Sequence, residues 1–270
     1  MGRHGAAHQT SRPLIRPPAA TGPHPAGGRF FLALEFATIE PMSIVLYELT
    51  GAEGRCFSPY CWRALMALAH KGLEFERRPI RFSDKAEIAF SGQDRVPVLA
   101  DGERVVPDSW DIACHLEDNY PEAPSLFGGD QGRALARFVA EWTASVQGQI
   151  LTSVVLDIYN HLDPADHAYF RESREKRLGA SLEEVQEGRE QRLPALLQAL
   201  QPLRSTLGTQ LYLCGQAPAY ADYVIFGSFQ WARVISPFKL LEPDDPVHAW
   251  RQRLLDLYDG LAGQAPGYAV

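Results

Sequence analysis

Apolar and polar positions divide this chain into two regimes. From residue 44 to about residue 127, short apolar runs alternate with stretches of helical spacing, and beyond residue 130 only helical spacing remains. Ile44-Val45-Leu46-Tyr47 predicts a strand. Residues 58–71 predict an amphipathic helix that Gly72 stops, with Pro59 at its first position, where a missing N–H costs no intrahelical bond. Residues 75–80 predict a second strand, and the mixed 83–93 stretch a short irregular helix. A third strand over 95–99 contains Pro97, which fits only at its entrance. Asp101-Gly102 marks a hairpin turn and residues 103–106 its returning strand. Asp108-Ser109 then opens a helix carrying Trp110, Ile112, Ala113 and Leu116, which ends at Tyr120-Pro121.

The predicted order is β-α-β-α-β-β-α, a small α/β unit over 43–121, followed by a Pro/Gly-rich linker over 122–129. Residues 131–160, 171–192, 193–207, 219–235 and 246–261 predict helices, which makes 130–262 an all-α domain with a tail over 263–270. The charged 171–192 stretch, with Glu172 and Lys176 four residues apart, reads as a solvated helix face. Residues 1–29 carry no Asp or Glu and no apolar period, so 1–42 is expected to be a disordered or dispensable extension, with Met42 the expected start.

Composition narrows the function classes. A chain of 270 residues with 46% hydrophobic content can hold two modest cores, and no apolar run reaches membrane-spanning length. The net charge of −7, with both signs interspersed, gives no nucleic-acid footprint. Four cysteines at 56, 61, 114 and 214 do not form a disulfide framework, so a reducing, cytoplasmic setting is expected. Cys61, Cys114 and Cys214 are expected to face core, and the histidines show no metal-ligand spacing, so no metal is expected.

Candidate chemistry centres on Ser58, whose hydroxyl is expected at a helix N-cap beside unpaired N–H groups and the positive end of the dipole. An anion there would be stabilised. An ordinary cap accounts for Ser58 alone, and equally for Asp108-Ser109. No G-x-S-x-G context marks Ser58 as a hydrolase nucleophile.

Taken together, the motifs resemble those of the cytosolic glutathione transferases over residues 43 to 262. Ser58-Pro59-Tyr60-Cys61-Trp62-Arg63 resembles the start of the first helix in members whose catalytic residue is Ser or Cys followed by Pro. Val96-Pro97 resembles the family's cis-proline motif, Asp108-Ser109 its acidic-Ser pair, and Pro218-Ala219-Tyr220-Ala221-Asp222 the cap of the core helix. Residues 173–175, 182–194, 229–231 and 257–261 are similar to the Ser-type bacterial glutathione-dependent β-etherases and related fungal transferases.

The resemblance implies a thioredoxin-like N-terminal domain followed by an all-helical C-terminal domain. It implies glutathione as co-substrate, a small aromatic electrophile as partner and a homodimer. Ser58 would stabilise the thiolate, Val96 and Pro97 would present the backbone that meets the cysteinyl unit, and Asp108 with Ser109 would hold the γ-glutamyl end. Tyr60, Trp62, Trp142, Tyr159 and Trp231 are candidate walls for the second substrate in an interdomain cleft. The activity implied is attack of an activated thiolate on an electrophilic carbon, including cleavage of β-aryl ether ketones. The alternatives are a glutathione lyase or thiol reductase using Cys61 or Cys56, and a non-catalytic glutathione or hydrophobic-ligand carrier. Ala219 departs from the Ser or Thr usual in its place, so Asp222 is expected to cap with help from elsewhere.

Overall fold

A computed structural model describes residues 43–269, and the expected extension over 1–42 lies outside the described residues. Strand β1 (Ile44–Leu49) sits second in a four-stranded sheet of order β2-β1-β3-β4. It pairs in parallel with β2 (Phe75–Ile80) and antiparallel with β3 (Val98–Asp101), which pairs antiparallel with β4 (Arg104–Pro107). All six β1 residues are buried, which is why it reads as a continuous apolar run. Its one charged residue, Glu48, is neutralised by Arg77 of β2 through two bonds of 2.5 and 3.1 Å. Pro79 and Pro107 both fall on the outer strands, where a missing donor disrupts no interior ladder.

The parallel β1–β2 pair needs a crossover, supplied by helix α1 (Pro59–His70). The stretch expected as a second, irregular helix forms a 3-10 turn over Lys85–Ser91. The hairpin turns at Gly102, whose φ of 58° suits glycine, and pairs Asp101 with Arg104. Helix α2 (Ser109–Asn119) closes this unit.

Among the described residues seven α-helices follow: α3 (Asp130–Asn160), α4 (His167–Leu178), α5 (Leu182–Gln186), α6 (Arg189–Ala199), α7 (Gln201–Leu207), α8 (Tyr220–Ile235) and α9 (Pro246–Gly260). The arrangement is a thioredoxin-like domain with a mixed sheet, followed by an all-helical domain. The single helix expected over 171–192 is three. Gly179 ends α4 at φ 78°, Ser181 and Glu184 form a capping box for α5, and Gly188 at φ 65° precedes α6. Pro194 does not break α6, where it lies six residues in. Glu172 and Lys176 form no ion pair; Arg171 instead bonds Glu175 and Glu183, each at 2.8 Å.

Helix α8 is the shared core element, packed on α1 and α3 and buried everywhere except Arg233. Gly227 lets α8 approach the first turn of α1 closely, since a Cβ there would overlap the Pro59 carbonyl. Without a hydroxyl at Ala219, Asp222 takes up three donors: Ala219 N–H (3.1 Å), Leu213 N–H (2.8 Å) and the Trp250 indole (2.9 Å). The help expected for the cap comes from Trp250 of α9 and the turn before α8. Cys61 is buried and Cys114 half-buried, but Cys214, expected in core, is exposed. It lies in the tight turn that Tyr212 and Gly215 close by mutual backbone bonds, outside the helices.

Candidate functional site

Helix α1 opens on Ser58, an N-cap in extended backbone whose Oγ accepts from the Cys61 N–H at 3.2 Å. That oxygen serves the cap as an acceptor, which leaves its O–H a donor, with the Cys61 thiol as the partner already within reach. Ser58 is 6% exposed and lines a cavity of about 600 Å³ between the two domains. Val96 lines the same cavity, and its bond to Pro97 is cis.

Asp108 and Ser109 line a second cavity of about 200 Å³. Tyr60, Ala144 and Gln147 line both, so the two spaces adjoin. The Asp108 N–H also donates to the Pro97 carbonyl at 3.3 Å, joining the cis-proline segment to the acidic-Ser pair through backbone. Asp108 caps α2, accepting from the Trp110 N–H at 2.7 Å, and holds φ at 70°. A non-glycine residue there carries roughly 1–3 kcal/mol of strain, which the surrounding structure must offset. Its carboxylate is exposed and forms no ion pair among the described residues. Ser109 is buried and its carbonyl accepts from the Tyr220 hydroxyl at 2.7 Å.

Arg63 is a site residue that sequence reasoning passed over. It is buried at the wall of the smaller cavity, donates to the Val224 carbonyl (3.1 Å) and Gln147 Oε1 (3.0 Å), and lies 4.6 Å over the Tyr60 ring. Burial holds its guanidinium below the ordinary value, and the charges of Tyr220, Tyr60 and Asp108 oppose that. Its position five residues after Ser58, one helical turn further along α1, was the available signal.

Of the five aromatic candidates, Tyr60 and Trp231 line the larger cavity. Trp142 and Tyr159 do not. Trp142 packs against the core, and Tyr159 stacks on His167 with centroids 4.3 Å apart. Trp62 is buried, its indole donating to the Cys56 carbonyl at 2.7 Å. For these three, helical spacing alone could not separate a core-facing ring from a cleft-facing one.

The thiols are poor candidates for ionisation. Burial pushes Cys61 up strongly, outweighing help from Ser58 and the Leu49 N–H. Cys56 is pushed up to about 12, by burial first and then by Glu48. Among the described residues no cluster of His, Cys, Asp or Glu could hold a metal ion, and no helix is long and apolar enough to cross a membrane.

Two family models match the chain. The family model "Glutathione S-transferase, N-terminal domain" matches residues 57–119, and "Glutathione S-transferase, C-terminal domain" matches 134–245. The chain belongs to the glutathione S-transferase family. It is 24% identical over 206 residues to glutathione S-transferase U28 of Arabidopsis thaliana, covering 74% of this chain and 81% of that one. A stretch of 94 residues is 34% identical to probable glutathione S-transferase GSTU1 of rice, spanning 32% of this chain and 41% of that protein. Among solved structures, glutathione transferase GSTFuA3 of Phanerochaete chrysosporium matches with a TM-score of 0.66 and 29% identity, over 81% of this chain and 92% of that one. The fold is also that of CsGST63524 of Ceriporiopsis subvermispora, solved in complex with glutathione, with a TM-score of 0.68 and 22% identity over 83% and 99% of the two chains.

Proposed function

We propose that this protein binds glutathione across the two adjoining cavities and transfers its sulfur to an electrophilic carbon. The observation that carries this reading is the Ser58 hydroxyl at the N-cap of α1, buried in the wall of the cavity that Val96 shares. A free thiol ionises near ~8.5, so little is thiolate at neutral pH. A donated O–H and the leading end of a helix both favour the anion.

The smaller cavity supplies the matching end. Asp108 offers a carboxylate to the γ-glutamyl ammonium, while Ser109 and the cationic Arg63 offer donors to its carboxylate. Val96 at the cis bond presents main-chain groups to the cysteinyl unit. The small aromatic electrophile and the homodimer expected from the resemblance belong to the same proposal, as does the β-etherase subtype. In that reaction the thiol gives its proton to solvent, and the sulfur lone pair forms a bond to the carbon α to the ketone. The carbon–oxygen bond breaks with its electron pair on the phenolate, which takes up a proton. One ether ketone and one glutathione give one thioether and one phenol.

The reductase alternative needs an ionised Cys61 or Cys56, and burial opposes both. Mass spectrometry after incubation with glutathione and a β-aryl ether ketone tests the reading. A thioether with an equal amount of phenol is expected, strongly reduced in Ser58→Ala. A mixed disulfide on Cys61 or Cys56, or unchanged substrate, would contradict it.

A further inference from the structure

The larger cavity is cationic, although the chain carries a net charge of −7. Among the described residues Arg81, Lys85, Arg95, Arg174 and Arg177 line it, against Asp94 as the one carboxylate. Three of the cations are already engaged, Arg95 with Asp94 at 3.7 Å. Lys85 bonds Asp94 at 3.2 Å and the Tyr169 hydroxyl at 3.1 Å, and Arg81 pairs with Asp84 at 2.8 Å and Asp163 at 3.3 Å. Arg174 and Arg177, one helical turn apart on α4, have no carboxylate within ion-pair distance among the described residues.

Arg174 is also held in place. Its guanidinium lies 4.7 Å from the centroid of Phe170 and 5.3 Å from that of Phe82, and Nη1 donates to Ser173 Oγ at 2.9 Å. Contact with two aromatic faces orients the planar group while leaving most of its five donors unused. Burial, together with the like charge of Arg177, lowers its pKa from the ordinary value, so an incoming anion would relieve an unfavourable charge. Phe82 belongs to the thioredoxin-like domain and Phe170 to α4, so Arg174 sits at the seam of the two domains, in the cavity that Ser58 also lines.

We infer that Arg174, with Arg177 beside it, selects acceptors that carry a carboxylate, so the second substrate of this enzyme is an anionic aromatic compound. This rests on the transferase reading above. A planar guanidinium receives a carboxylate through two parallel bonds, and Phe82, Tyr60 and Trp231 offer apolar surface to the ring. The aromatic walls expected from sequence do not by themselves account for two arginines without a carboxylate partner in the lining.

The test compares a chloronitrobenzoate with the corresponding chloronitrobenzamide, which present the same reacting carbon and differ in charge. Binding to wild type and Arg174→Gln is followed by tryptophan fluorescence, and thioether formation by absorbance at saturating glutathione. Arg174→Gln is expected to weaken benzoate binding and kcat/KM roughly 10- to 100-fold while benzamide values and the KM for glutathione stay within about 2-fold. Arg174→Lys should fall between, keeping charge without the planar fork. Equal binding of the two ligands by wild type would overturn the inference. So would a parallel loss for both ligands in Arg174→Gln, which marks a structural clamp, or a loss confined to glutathione. Benzoate preference in binding with no thioether from either compound would support the anion site and reject the transferase reading instead.

Discussion

Asp108 carries two burdens that a single substitution separates. One carboxylate oxygen caps α2, and the charge itself faces the smaller cavity. Asn caps a helix about as well as Asp and tolerates positive φ, so Asp108→Asn should leave thermal stability nearly unchanged. Losing a charge-assisted bond to the γ-glutamyl ammonium should raise the KM for glutathione roughly 10- to 100-fold, with little change in kcat. Steady-state kinetics beside a thermal melt would check this, and an unaltered KM would leave Asp108 as a cap alone. Ser58, Val96, Asp108 and Ser109 were legible in sequence because each sits at a helix start or a proline, where local rules are strict. Arg63 and Arg174 were not, because the facing of a charged residue on a helix depends on partners distant in sequence. Val224, Gln147 and Phe82 supply those partners here.

Among the elements, the linker between the domains is fastened by one carboxylate. Glu117 of α2 pairs with Lys71 at 2.7 Å and accepts from the Leu126 N–H at 2.9 Å and from the Ser125 hydroxyl. Lys71 in turn donates to the Tyr120 carbonyl at 3.2 Å. Burial opposes the charge, but Lys71, Ser125 and Leu126 together hold Glu117 down to about 2, from an ordinary 4.5. A depressed carboxylate contributes stability above its unfolded value and loses it as pH falls toward the folded one. Stability should therefore decline between pH 4.5 and about 2 in part through this group. Glu117→Gln should flatten that limb and lower stability at neutral pH, as denaturant melts at several pH values would reveal; an unchanged acid limb would count against it. The strands and the first helix followed from apolar runs and punctuation. The division of 171–192 did not, since the positive φ values of Gly179 and Gly188 that end the helix leave no mark on the charge pattern.

Across the molecule, the proposed function assigns the sulfur's surroundings to the thioredoxin-like unit and the second-substrate wall to the helical domain. Helix α8 joins them by packing on the helix that carries Ser58, at the close approach Gly227 permits. The two-domain plan was visible in the change of apolar period near residue 127; the charge of the cavity was not, because it assembles from Lys85, Arg95 and Arg174, which lie far apart along the chain. The central claim concerns ionisation, and ultraviolet absorbance of the glutathione thiolate bound to the protein, followed against pH, reports it without any acceptor. A hydroxyl that donates to sulfur lowers the thiol pKa, so bound glutathione should titrate well below ~8.5, and Ser58→Ala should move the midpoint back upward by about one unit, ~1.4 kcal/mol. Bound glutathione that titrates like the free thiol, or identically in wild type and Ser58→Ala, would contradict the role given to that hydroxyl.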